Sequence, residues 1–237
     1  MLNFQSATRI FNKEFKVYFI SPIAYIVISI FLVVTGWFFF STFFLYNQAE
    51  LRQFFALLPI TFSFIIPAIT MRLFSEELNT GSYEVLLTLP VTTREIIAGK
   101  FMAALSFLII MMVPTLFYAV SIAFIGDLDP GPVIGGYIGS ILLGGMFISI
   151  GIFATSLTKN QIIAFITATV ICFALTLIDS LLFFLPESML NIFQELGASY
   201  HFRNIAKGVI DSRDIIYFLS FTFVALYAAY LVMQEKK

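Results

Sequence analysis

"MRLFSEELNTGSYEVLLTLPVTTREIIAGK", residues 71–100, carries seven charged side chains: Arg72, Glu76, Glu77, Glu84, Arg94, Glu95 and Lys100. The whole chain of 237 residues has only 27, the sum of 13 Lys+Arg and 14 Asp+Glu, and it is 60% hydrophobic. On both sides of this island the sequence runs apolar for about 20 residues or more, enough to cross the ~30 Å hydrocarbon layer as a helix. The island therefore reads as a polar connection between two membrane spans, and its reading decides the fold.

The same pattern recurs along the chain. Apolar segments at 22–45, 54–74, 98–125, 133–157, 162–185 and 215–233 predict six transmembrane helices, each able to satisfy its own backbone hydrogen bonds in lipid. An all-α integral membrane protein is expected, with residues 1–237 forming a single transmembrane domain. The first segment is too long for a signal-peptide core and is read as an uncleaved anchor. A formal charge of −1 provides no basic surface for nucleic acid, and the single cysteine, Cys172, cannot form an intrachain disulfide.

Lys and Arg set the expected orientation. With the N-terminus inside, the inner segments hold Arg9, Lys13, Lys16, Arg72, Arg94, Lys100, Lys159, Lys236 and Lys237, and the outer ones Arg52, Arg203, Lys207 and Arg213. Nine against four places both termini and the 71–100 island in the cytoplasm. Ahead of the first span, Phe4, Ala7, Phe11, Phe15 and Tyr18 recur every three or four residues, with Arg9, Lys13 and Lys16 on the opposite side. Residues 1–20 thus suit an amphipathic helix in the headgroup layer; a basic N-terminus that merely sets topology is the alternative.

Within the island, a helix continuing from the second span through Glu76 and Glu77 is expected, with Arg72 spaced i,i+4 to Glu76. Asn79-Thr80-Gly81 breaks it. Ser82 is expected to cap a short helix with Glu84 in its first turn and Leu86, Leu87 and Leu89 as an apolar face, before Pro90 ends it. Thr92 and Glu95 form a capping box that opens the third span. A short helix held between two spans, with apolar side chains facing the cytoplasm, suits a groove on a cytosolic partner.

Elsewhere, Gly136, Ser140 and Gly144 form a small-residue stripe in the fourth span, allowing close helix packing within the bundle or at a dimer seam. Residues 186–214 are too apolar for a free loop, and Pro186 and Gly197 divide them into two helix-sized pieces. These are expected to fold back, re-entrant-like, as an outer gate containing His201, Arg203, Asp211 and Asp214, with Arg203, Lys207 and Arg213 paired to Asp211, Asp214 or lipid phosphate. Asp179, near the end of the fifth span, is either a transport carboxylate or a snorkelling residue. Gly197-Ala198-Ser199-Tyr200-His201 lacks the second glycine of a nucleophile elbow, and one histidine provides neither a metal site nor a Ser/His relay. No metal is expected.

Two stretches carry a family resemblance. "PAITMRLFSEELNTGSYEVLLTLPVTTREIIAGK" (67–100) is similar to the M-R-x-[FL]-x-[ED]-E…G-[ST]-x-E-x-L-L-[ST]-x-P…G-K signature of ABC-2 type permeases, at Arg72, Glu76, Glu77, Gly81, Glu84, Leu86, Leu87, Pro90, Gly99 and Lys100. "YHFRNIAKGVIDSRDIIYFLS" (200–220) resembles the segment before the last span of the gliding-motility-associated permeases. The resemblance implies a permease subunit in a bacterial cytoplasmic membrane. Its N-terminal helix would be the elbow helix. Its coupling helix, with Glu76, Glu77, Gly81, Tyr83, Glu84, Leu86, Leu87 and Pro90 at or beside it, would dock on a cytosolic ABC ATPase.

The chain has no G-x-x-x-x-G-K-[ST] loop, since Gly99-Lys100 is followed by Phe101 and Arg94 stands where a glycine is needed. ATP and Mg²⁺ are therefore expected on another polypeptide, and the resemblance implies two copies of that ATPase and a second permease chain, identical or related. A membrane scaffold for a larger machine and an ion-coupled secondary transporter remain as alternative readings.

Overall fold

The computed structural model describes residues 4–46, 51–88, 90–124, 126, 128–181, 193–209 and 211–236. Among them every regular element is helical. In chain order these are α1 (Phe4–Ile20), α2 (Pro22–Tyr46), α3 (Arg52–Thr70), α4 (Ser75–Thr80), α5 (Ser82–Leu87), α6 (Thr93–Met112), a 3-10 turn (Val113–Thr115), α7 (Leu116–Ala123), α8 (Pro130–Leu157), α9 (Gln161–Leu181), α10 (Ala198–Ala206) and α11 (Ser212–Glu235). Six stretches are long and apolar enough to cross a membrane, beginning at Pro22, Arg52, Thr93, Pro130, Gln161 and Ser212. The chain is an all-α integral membrane protein with six such helices.

The third span is composite. Pro114 lacks the N–H that would bond the carbonyl four residues back, so the ladder tightens into the 3-10 turn and resumes as α7. Thr115 Oγ1 donates to the Met112 carbonyl at 2.6 Å and lies 3.1 Å from Tyr137 Oη.

α8 occupies the centre, packed by α3, α6, α9, α10 and α11, because its small residues remove the side chains that would hold neighbours away. A Cβ built on Gly136 would lie 2.3 Å from the Phe55 ring of α3, on Gly144 2.1 Å from Leu108 of α6, and on Gly151 2.1 Å from Thr70 of α3. Ser140, in the same stripe, returns its hydroxyl to the Gly136 carbonyl. Two helices, α3 and α6, thus use successive small positions on one rod. α2, α9 and α11 lie at the periphery and expose large apolar side chains such as Val33, Trp37, Val170 and Phe223.

α11 runs parallel to α8. At its start it meets α10, and at its end Lys236 Nζ donates to the Ser156 carbonyl at 2.6 Å. α10 packs on α8 at Gly135 and Gly139, against Phe202 and Ile205. Gly208, just beyond α10, has φ +85° and rests on the backbone of Gly131. A side chain there would be both strained and without room.

Candidate functional site: a buried ion cluster under the short helices

Lys100 starts an apolar span yet is only 1% exposed. Its position follows from the capping box that begins α6: Thr92 N donates to Glu95 Oε2 at 3.0 Å and Glu95 N to Thr92 Oγ1 at 3.4 Å. Two turns later Lys100 points at the junction of α1, α4 and α6. Its Nζ lies 2.9 Å from Glu77 Oε1 of α4, 3.2 Å from Glu14 Oε1 of α1 and 2.5 Å from the Leu73 carbonyl, and sits 5.0 Å from the centre of the Phe74 ring. Three donors are thereby used, and a cation that would be costly alone in an apolar setting is compensated by two carboxylates. Lys13 of α1 lies 3.4 Å from both Glu14 and Glu77. Burial lowers the Lys13 pKa, but the two carboxylates outweigh burial and hold it above its ordinary value.

The cluster explains where the helix breaks. The expected continuous helix through Glu77 is interrupted: α3 stops at Thr70, residues 71–74 form turns, and α4 begins at Ser75. The Leu73 carbonyl turns to Lys100, and Leu73 N bonds the Thr70 carbonyl three residues back at 3.0 Å. With the turn in place Arg72 and Glu76 are both exposed, and the expected i,i+4 ion pair between them is not formed. Glu77 instead faces inward.

Gly81, with φ +73°, is the left-handed residue that ends α4 and begins α5. It replaces the expected Ser82 cap, since no side chain caps α5. Thr80 and Ser82 exchange a hydroxyl contact at 2.9 Å across it. On α5, Tyr83 is buried at 2% exposure and directs its hydroxyl toward the Met233 carbonyl of α11 at 3.5 Å. Burial raises its pKa. Glu84 and Val85 face outward, Val85 at 68% exposure, while Leu86 is half-buried against the core. Pro90 is exposed; the Leu87 side chain and Leu89 lie outside the described residues.

α1 docks on α6 rather than only lining its own apolar stripe. Ile10 fits against Gly99, where a Cβ would be 2.8 Å away, Glu14 reaches Lys100, and the Tyr18 ring stacks on Phe107 at 5.0 Å. Glu14 had no separate signal in the sequence. Its position one turn from both Ile10 and Tyr18, in an otherwise apolar face, is the feature that marks it.

At the other end of the bundle, α10 is fixed by a histidine–carboxylate hydrogen bond and an ion pair. His201 Nδ1 lies 2.6 Å from Asp214 Oδ1, its Nε2 lies 2.9 Å from the Glu195 carbonyl, and its ring stacks on Tyr217 at 4.0 Å. Arg203 pairs with Asp179 of α9. The expected pairing is thus rearranged: Arg203 takes Asp179, Asp214 takes His201, and Asp211 caps α11 by accepting from Arg213 N at 3.0 Å. Lys207 and Arg213 are exposed. Residues 193–196 are helical before Gly197, and the part of the 186–214 segment from 186 to 192 lies outside the described residues.

Six candidate spanning helices among the described residues, an N-terminal helix docked on the third span and a pair of short helices carried on an ion cluster define a polytopic membrane protein. The model of the ABC-2 family transporter protein matches residues 8–204. The chain belongs to this family and is a permease subunit of an ABC transporter, a membrane transport component that in this family generally works with a cytosolic ABC ATPase. No curated protein matches the chain.

Proposed function

We propose that this permease couples ATP hydrolysis on a separate ATPase to movement of its spanning helices, with α4 and α5 as the mechanical input. The observation that supports this most directly is the split character of α5. Tyr83 anchors it inward, while Glu84 and the largely exposed Val85 face away from the bundle. An exposed aliphatic side chain on a helix fixed at both ends suits a pocket on a partner.

Force applied to α5 passes through Gly81 to α4, and from Glu77 through Lys100 to α6 and α1. Tyr83 gives a second route to α11. In this reading both termini and the short helices are cytoplasmic, and the membrane is a bacterial inner membrane. Two ATPase copies carry ATP and Mg²⁺, and a second permease chain, identical or related, completes the unit. ATPase closure would then shift two packed bundles as rigid bodies. The narrower likeness of residues 200–220 to gliding-associated permeases rests on that motif, and loss of gliding on deletion of the gene is its test.

The coupling role is tested by co-expression with each ABC ATPase found encoded near the gene. Co-purification of the two, with ATPase activity changed by the permease, is expected. Failure of every neighbouring ATPase to associate would overturn the reading.

A further inference from the structure

A cavity of about 340 Å³ opens beside the ion cluster, between α1, the start of α2, the end of α3 and α4. Its lining is of two kinds: Val17, Ile23, Ala24, Val27, Ala68 and Ile69 are apolar, and Lys13, Arg72, Glu76 and the cluster are ionic. The volume is at the lower end of the roughly 300–1,000 Å³ that ligand pockets occupy. We propose that this cavity binds a membrane phospholipid whose head is a zwitterion with a primary ammonium, a phosphatidylethanolamine, from the leaflet that contains α1.

Charge complementarity selects the head. Lys100 and Lys13 are both paired with Glu14 and Glu77, although Glu77 Oε2 stays buried without a hydrogen-bond partner. That leaves Arg72 and Glu76, both exposed, both lining the cavity, and neither with an ion-pair partner among the described residues. One unpaired cation and one unpaired anion, four residues apart, match a phosphate and an ammonium joined by a two-carbon linker. Arg72 can bind phosphate in the forked geometry of a guanidinium, and Glu76 accepts from ammonium N–H groups. A purely anionic head would leave Glu76 facing phosphate, and a choline head has no N–H to donate.

Continuity with the bilayer selects a lipid over a soluble metabolite. Val17, on the apolar wall, is itself 53% exposed, and Ile20, Tyr25 and Ile26 extend an apolar surface outward from it. This apolar surface offers acyl chains a way out of the cavity. The inference goes beyond the coupling role and does not depend on an ATPase partner.

The test uses the full chain, purified in a maltoside detergent and titrated with short-chain phosphatidylethanolamine, phosphatidylglycerol and phosphatidylcholine, with bound lipid read by native mass spectrometry. The ethanolamine lipid should bind about tenfold tighter than the other two, the scale of one charge-assisted contact. The double variant Arg72→Gln/Glu76→Gln, at exposed positions, should remove that preference, and Ala68→Phe should block all three lipids by filling the cavity. Water-soluble phosphoethanolamine should compete only weakly. Equal binding of the three lipids, competition by the soluble head as strong as by the lipid, or unchanged selectivity in the double variant would each overturn the proposal.

Discussion

Lys100 Nζ and Glu77 Oε1 lie 2.9 Å apart at a site where the lysine is 1% and the glutamate 12% exposed by side chain, so α4 is tied to the third span by a buried ion pair. Glu14 closes the same site from α1. Removing Lys100 leaves the two carboxylates with only the half-exposed Lys13 as counter-ion. Lys100→Met should therefore cost about 3–5 kcal/mol, seen as a clear fall in the thermal unfolding midpoint in detergent. The triple variant Lys100→Met/Glu14→Gln/Glu77→Gln should recover most of the loss, because the one charge left, Lys13, is half exposed to water. A triple variant no more stable than the single one would count against this account of the cluster.

The outward face of α5 separates docking from folding. Val85→Asp changes an exposed position and should leave expression and thermal midpoint intact while weakening co-purification of the ATPase by about tenfold or more. Leu86→Asp, at a half-buried position packed on the core, should lower stability as well. If Val85→Asp retains the ATPase with normal stimulation, α5 is not the docking element.

Close approach to α8 is uneven along its small residues. At Gly135 a Cβ would meet the Ile205 backbone carbonyl at 2.3 Å, and backbone cannot rotate away; at Gly145 the nearest atom is 3.8 Å off. Gly135→Ala should cost about 1–3 kcal/mol and loosen α10, while Gly145→Ala should be tolerated. Thermal unfolding of the two variants side by side distinguishes them.

The buried Asp214 depends on His201 for its partner at 2.6 Å. His201→Ala should free α10, lowering amide-exchange protection over residues 198–206 by about tenfold or more, with little change in α3 or α8. Uniform loss of protection through the bundle would show that the pair holds the whole fold rather than the α10 segment.

Orientation has its own measurement. In a Cys172→Ser background, Asp129→Cys should react with an impermeant thiol reagent in intact cells and Asn79→Cys should not. Labelling of Asn79→Cys from outside would invert the proposed topology.

What the sequence determined was set by local chemistry. Runs of apolar residues produced six spanning helices because only internally hydrogen-bonded backbone is stable in lipid. Gly81 broke the island because it alone there takes a positive φ freely, and Thr92 with Glu95 started α6 because their side chains reach the free N–H groups three residues apart. The 3-10 turn inside the third span, a span that reads as one continuous apolar segment, also has a local cause in Pro114. Which charges turn inward was decided elsewhere. Glu76 and Glu77 are neighbours of the same type, and nothing local distinguishes them; Glu77 is drawn in because Lys100, from 23 positions later in the chain (100 minus 77), needs counter-charge once it is out of water. Glu14 reaches the same lysine across 86 residues, and the Leu73 carbonyl breaks the helix to join it. The cost of desolvating a charge exists only after the helices have packed, so the cluster and the turn at residues 71–74 belong to the tertiary structure alone.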